Sequence, residues 1–279
     1  MPLRVLQSVW GLEGIPWADL DDGLADTLRR VAAAGFDGFG VDLSVPRRSK
    51  TVAQVSAELG LIWEAQCRVS TADELAGFLD QAVALGANHL NVQIGVLEAD
   101  LDRGIALMRS FLAVSRPSPL PVFYETHRGR LTNDLRFTTA LLDAFPELML
   151  TGDLSHYVVT HSMPLPVGAQ NQAAISRVLE RSHAFHGRVA GGHQVQLALH
   201  GAWQQPWVDQ FAAWWEQGFR GWLSRTESDA QLTFLCELGP PDYAITDARG
   251  MELSDRWAES LELKEMAREL FERARLDRS

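Results

Sequence analysis

The chain has 279 residues, 46% of them apolar and 22% charged, which excludes a disordered chain or an acidic tail. Lys plus Arg number 25 against 36 Asp plus Glu, and the net charge of −11 opposes a nucleic-acid backbone as partner. Two cysteines, Cys67 and Cys236, cannot build a secreted disulfide scaffold. No apolar run approaches the ~18 residues of a membrane span, and the N-terminus shows no basic-then-apolar signal, so a cytoplasmic protein that leaves membranes alone is expected.

The first apolar run, Leu3–Trp10, reads as a strand, and Asp19–Ala34 follows with helical spacing and Gly35 as its stop. Gly38–Leu43 is a second strand. Thr51 and Gln54 fit a capping box for a helix that Gly60 ends. Leu61–Cys67 is the third strand, and Thr71 with Glu74 opens a helix closed by Gly86. His89–Gly95 precedes a helix reaching Ser115, and Leu120–His127 precedes one over Thr132–Ala144. Leu148–His156 reads as the sixth strand, followed by a loop with Pro164 and Pro166 and a helix to Arg181. His183–Ala190 leads into a Gly- and Trp-containing loop and a helix over Trp207–Gln217. Leu232–Gly239 is the last strand. The last helix, Asp255–Ala274, places Trp257, Leu261, Met266 and Leu270 on one face.

Eight strands alternating strictly with eight helices predict a single (β/α)8 TIM barrel over residues 1–279. The first strand runs into QSVWGLEGIPW without the glycine-rich phosphate loop of a doubly wound sheet.

Active sites of such barrels lie at the C-terminal ends of the strands. Here strand 5 ends in Tyr124-Glu125-Thr126-His127 and strand 6 in Gly152-Asp153-Leu154-Ser155-His156. Strand 7 carries His186-Gly187-Arg188, and strand 8 ends in Cys236-Glu237-Leu238-Gly239. Singly, each acidic residue reads best as a helix cap or surface charge. Together, carboxylates within apolar runs would repel one another unless a cation sat between them. Two Glu, one Asp and one His suit a divalent ion of the manganese or magnesium type better than zinc, since no cysteine joins them. Strand alternation puts residues 184, 186 and 188 on one face, which favours His186 with Arg188 over His183; His193 remains a rim alternative.

The segments FYETHRGRLT, GDLSHYVV, HGRVAGGHQV and LCELGPPDY resemble the xylose-isomerase-like barrels, the sugar phosphate isomerase/epimerase group, over most of the chain. The resemblance implies Glu125, Asp153, His186 and Glu237 as ligands of one divalent metal ion, Mn2+ foremost, with Mg2+, Co2+ or Zn2+ as alternatives. It implies Glu125 and Glu237 as the catalytic acid/base pair, acting through a metal-stabilised enediolate on a carbohydrate substrate, and His156 and Arg188 as groups facing substrate oxygens. His127 shares the face of Glu125 and would orient substrate or make a structural hydrogen bond. Gln194 and His193 fall on the rim. Trp10, Trp63 and Trp203 lie near it, where an indole face suits a sugar ring, whereas Trp214 and Trp215 read as packing. Gln66 and Gln93 end strands 3 and 4 and could touch substrate. For Asp42 and Glu64 a cap or ion-pair role stands ahead of sugar binding. Arg128 and Arg130 read as solvated loop charges before they read as phosphate ligands.

The branch that cleaves DNA at abasic sites needs His where this chain has Gln66 and Gln93, so that activity is not expected. Isomerase or epimerase action on a sugar-like ketone is the leading expectation. A lyase or dehydratase acting on an inosose or oxidised sugar derivative through the same metal site is the alternative, and homo-oligomerisation is open.

Overall fold

In the computed structural model, which describes residues 2–226 and 230–277, eight parallel strands pair in sequence order and close on themselves. They are β1 (Leu3–Ser8), β2 (Gly38–Asp42), β3 (Ile62–Val69), β4 (His89–Ile94), β5 (Val122–Glu125), β6 (Leu150–Gly152), β7 (Ser182–Gly187) and β8 (Leu232–Cys236). The helices are α1 (Leu24–Ala33), α2 (Pro46–Leu59), α3 (Ala72–Ala84), α4 (Leu101–Ser115), α5 (Leu135–Ala144), α6 (Ser155–Thr160), α7 (Ala169–Leu179), α8 (Gln205–Arg225) and α9 (Arg256–Leu276). The β1–β8 seam, Leu3↔Leu232 through Gln7↔Cys236, completes the (β/α)8 TIM barrel.

The core lies mainly between the strands and the helix ring, with Phe211, Trp214, Trp215, Phe219 and Trp222 of α8 fully buried in it. The inside of the barrel is tighter and more polar. Gly38 and Gly40 of β2 make room there: a side-chain carbon at Gly38 would lie 1.9 Å from the Ile62 carbonyl oxygen, and one at Gly40 2.7 Å from Leu235.

Local chemistry explains where helices begin. Thr71 accepts from the Glu74 N–H, and the Glu74 carboxylate accepts from the Thr71 N–H, as the capping-box spacing predicts. Gly60 ends α2 in the left-handed region at φ 66°. The Thr51–Gln54 box is not used. Pro46 opens α2 five residues earlier, where its missing N–H costs no helical bond, and the Thr51 hydroxyl donates back to the Arg47 carbonyl inside the helix.

Strand 6 also departs from expectation. It stops at Gly152, because Asp153 Oδ1 accepts from the Ser155 N–H (3.0 Å) and hydroxyl (2.5 Å) and turns the chain into α6. His156 therefore stands on a short helix, and strict alternation of one helix per strand is broken. Helix α8 runs on to Arg225. On α9 the buried apolar positions are Leu263, Ala267, Leu270, Phe271 and Ala274, while Trp257, Leu261 and Met266 pack at the edge of that face. No helix among the described residues is long and apolar enough to cross a membrane.

Candidate active site

Glu125 closes β5, Asp153 follows β6, His186 lies within β7, and Glu237 follows β8. All four are buried, and one ligand atom from each lies within 4.8 Å of the others. Backbone geometry brings them there: successive parallel strands of a closed barrel deliver their C-terminal residues to one mouth.

Each carboxylate is held by neighbours. Glu125 Oε2 accepts from the side-chain amides of Asn91 and, at 3.0 Å, Gln93, both on β4. Asp153 Oδ2 accepts from Arg188 Nη2 at 3.0 Å, and the same nitrogen donates to Glu237 Oε2. His186 Nδ1 lies 3.2 Å from Glu237 Oε2, and its Nε2 lies 2.9 Å from Glu64 Oε1. Glu64, wholly buried in β3, also accepts from the Gln66 amide (2.8 Å) and pairs through Oε2 with His89 Nε2 (2.8 Å). The ion-pair reading of Glu64 thus holds, with two histidines as partners.

The charges act strongly on one another. Burial, with the Glu237 and Asp153 charges adding to it, raises the Glu125 carboxyl to about 7 against the pull of His186. Burial likewise raises Asp153 above its ordinary range although Arg188 opposes it. Burial also pushes Glu237 up, but the His186 and Arg188 charges outweigh it and hold that group below the usual carboxylate range. The charges of Glu237 and Glu64 overcome burial and raise His186 well above its ordinary value. Three buried carboxylates in one contact group resist full ionisation without added positive charge.

Above this group opens a cleft of about 390 Å³, lined by Trp10, Asp42, Gln66, Arg68, Gln93, His127, Arg130, Glu237 and Tyr243. The volume suits a small ligand. A larger cavity, about 550 Å³, lies at the opposite end of the barrel between His89, Phe123, His183 and Trp222, and no carboxylate lines it among the described residues. The smaller cleft is the candidate site because titratable side chains converge on its floor.

The structure brings most of the expected residues to this mouth. Trp10, on a short 3-10 turn after β1, packs edge-on against Tyr243 with ring centres 5.0 Å apart. His127 and His156 lie ring against ring at 3.7 Å. Burial lowers the His127 imidazole to about 3 and pushes His156 well below its ordinary value. Gln194 is exposed in a separate groove with Arg128, His193 and Tyr243, and Tyr243 is the residue that this groove and the cleft share. His183 points into the opposite cavity. Trp63 is core, and Trp203 is 61% exposed outside the cleft. Asp42 caps the Ser44 N–H at 2.7 Å. Arg128 and Arg130 are not simply solvated: both are half-buried, Arg128 over the Tyr243 ring and Arg130 donating to Gln93 Oε1 at 3.2 Å.

Three contributors lie outside the sequence reading, the first being Arg68 of β3, which lines the cleft. Tyr243 sits in the loop after β8, where no periodicity marks it, with the Arg188 guanidinium 4.7 Å from its ring centre. Asn91 alternates with His89 and Gln93 along β4, a pattern that could have flagged it as facing inward.

No family model matches the sequence, and no curated protein matches it. Solved structures match over most of its length. A xylose isomerase-like TIM barrel protein from Mycobacterium smegmatis in complex with magnesium superposes with a TM-score of 0.62 at 15% identity, covering 96% of this chain and 97% of that one. The chain shares the (β/α)8 TIM-barrel fold of this structure. A sugar phosphate isomerase/epimerase from Parabacteroides distasonis shares the barrel (TM-score 0.58, 12% identity, 95% and 97% covered). So does an AP endonuclease, family 2, from Brucella melitensis (0.55, 14%, 85% and 93%).

In this barrel the side chains fit a divalent ion. Glu125 Oε1 is buried without a hydrogen-bond partner. His186 has its Nε2 engaged by Glu64, which leaves Nδ1 facing Glu237 and, at 3.9 Å, Glu125. A carboxylate behind a ligand imidazole is the usual support of a protein-bound metal. Arg188 is the competing cation, lodged on two of the three carboxylates.

Proposed function

We propose that this protein is a divalent-metal-dependent isomerase or epimerase of a sugar or sugar-like ketone. The observation that carries the reading is the convergence of Glu125, Asp153, His186 and Glu237 at the floor of the cleft. These four would hold the ion, with manganese the first choice for an oxygen-rich set containing one imidazole and magnesium next. When bound, such an ion supplies a Lewis acid for a carbonyl and the hydroxyl beside it.

The chain's own groups then divide the proton work. Glu125 and Glu237 reach the floor from different strands. One takes the proton from the carbon beside the carbonyl, leaving an enediolate, and the other returns a proton. Return to the opposite face gives epimerisation, and return to the neighbouring carbon gives isomerisation. Arg188 keeps Glu237 ionised, and its Nε and Nη1 are free to donate to a substrate oxygen. His127 lines the same cleft, and the buried His156 lies against its ring. Trp10 offers an indole face to the sugar's apolar side, and Gln194 would meet only a substituent that reaches past Tyr243. The two thiols, both free and buried, support a reducing compartment, the cytoplasm.

The test is isotope exchange. Ketoses and inososes incubated with the manganese-loaded protein in D2O should take up deuterium at the carbon beside the carbonyl without other change in mass, and the Glu237→Gln variant should not promote it. A product lighter by one water would move the assignment to a dehydratase. Absence of exchange with every ketone would overturn the reading.

A further inference from the structure

A second group of ligand-bearing side chains stands beside the first. Glu125, His127 and His156 are buried, and one ligand atom from each lies within 4.8 Å of the other two. Both imidazoles present nitrogens without a hydrogen-bond partner among the described residues. His127 Nδ1 lies 2.5 Å from the Arg128 main-chain carbonyl, which fixes the proton on Nδ1 and leaves Nε2 as a lone-pair donor. His156 is 1% exposed and has both nitrogens buried without a hydrogen-bond partner. Asp153 Oδ2 lies 3.4 Å from its Nε2 without the alignment of a bond. Glu125 Oε1 is buried and unpartnered too. Buried polar atoms of folded proteins are almost all paired, and one cation held by this group would satisfy these together.

We propose that Glu125, His127 and His156 form a second divalent-metal site, of the zinc or cobalt class, which shares Glu125 with the carboxylate-rich group. The donor chemistry separates the two. Two imidazoles and one carboxylate suit a borderline-soft ion with an open position for water or a substrate oxygen, whereas three carboxylates and one imidazole suit magnesium or manganese. Negative charge predominates around the two groups. Glu64, Glu125, Asp153 and Glu237 are four buried carboxylates, and Arg188 is the buried guanidinium among them. The nearby Arg128 and Arg188 are both drawn onto the Tyr243 ring, at 5.0 and 4.7 Å. In this arrangement His127 and His156 meet substrate through the ion they hold.

Of the metal ligands of the function proposed above only Glu125 recurs here, and metal stoichiometry tells the two readings apart. The full chain would be stripped with a chelator, dialysed against Zn2+ or Co2+ and assayed by elemental analysis, with the Co2+ absorption spectrum as a second readout. The wild type should hold about two ions per chain, and His127→Ala and His156→Ala about one each, with the imidazole-type Co2+ band lost. Asp153→Asn should lose the other ion and keep that band. His127→Gln and His156→Gln serve if the alanine variants lose their native circular dichroism. A single ion in the wild type that disappears in Asp153→Asn and persists in the histidine variants overturns the second site while leaving the one-ion function standing. Two ions retained in the histidine variants overturn it as well, as does loss of both ions there. No ion in the wild type overturns both readings.

Discussion

At the C-terminal end of the strands Glu125, Asp153, His186 and Glu237 converge within 4.8 Å under a cleft of about 390 Å³. At the N-terminal end the same barrel opens a cavity of about 550 Å³, where the His89 and His183 rings lie 5.0 and 5.7 Å from that of Phe123 and no carboxylate joins the lining among the described residues. The larger hollow is the chemically quieter one. Volume alone would choose the lower end, whereas clustered charge chooses the upper one. Glu64 connects the two: its Oε1 supports His186 at the upper end and its Oε2 holds His89 at the lower.

If the ends differ in this way, damage to each should read out differently. The largest effect belongs to Glu237→Gln, which should lower turnover ~10²–10⁴-fold with little change in thermal midpoint, the loss typical of a removed acid/base group. Turnover within a few-fold of wild type would take Glu237 out of the proton transfer. Glu64→Gln, at the junction, should weaken metal affinity ~10–100-fold in a competition titration, since it removes the carboxylate behind His186. Unchanged affinity would reduce Glu64 to packing.

The lower end should show itself in stability. Burial, helped by the Arg225 and Arg181 charges, lowers the His183 imidazole to about 4. Between that value and the unfolded value of about 6.5 the unfolded chain binds the proton and the folded one does not. Stability from this group is therefore complete above pH ~6.5 and is lost as pH falls towards 4, with a slope of at most ~1.4 kcal/mol per pH unit. Denaturant titrations of His183→Phe at pH 7, 5.5 and 4.5 should show a shallower acid loss than the wild type, with turnover at pH 7 retained. Identical slopes would show that His183 is not buried neutral. The smallest effect is expected for Trp203→Ala, which should change stability by less than ~0.5 kcal/mol and leave KM unmoved, because the ring is exposed outside the cleft.

The upper end was legible because strand ends are local. An apolar run followed by Glu125, Asp153 or Glu237 can be read from the chain itself, and alternation selects His186 over His183. The partners were less legible because barrel closure makes them. Nothing near Glu64 in sequence announces His186, 122 positions away and four strands on. Tyr243 sits in an aperiodic loop. Errors of boundary came from competing local chemistry: Pro46 starting α2 ahead of Thr51, and Asp153 with Ser155 ending β6 early and moving His156 onto α6.

The upper end stands or falls on whether a metal ion or Arg188 neutralises its carboxylates. Crystals soaked in Mn2+ and measured near the manganese absorption edge would decide it. An anomalous peak among Glu125, Asp153, His186 and Glu237, absent in crystals of Glu125→Ala, is the predicted result. A map with no peak there, and with Arg188 still lodged on Asp153 and Glu237, would contradict the metal-centred reading of the site.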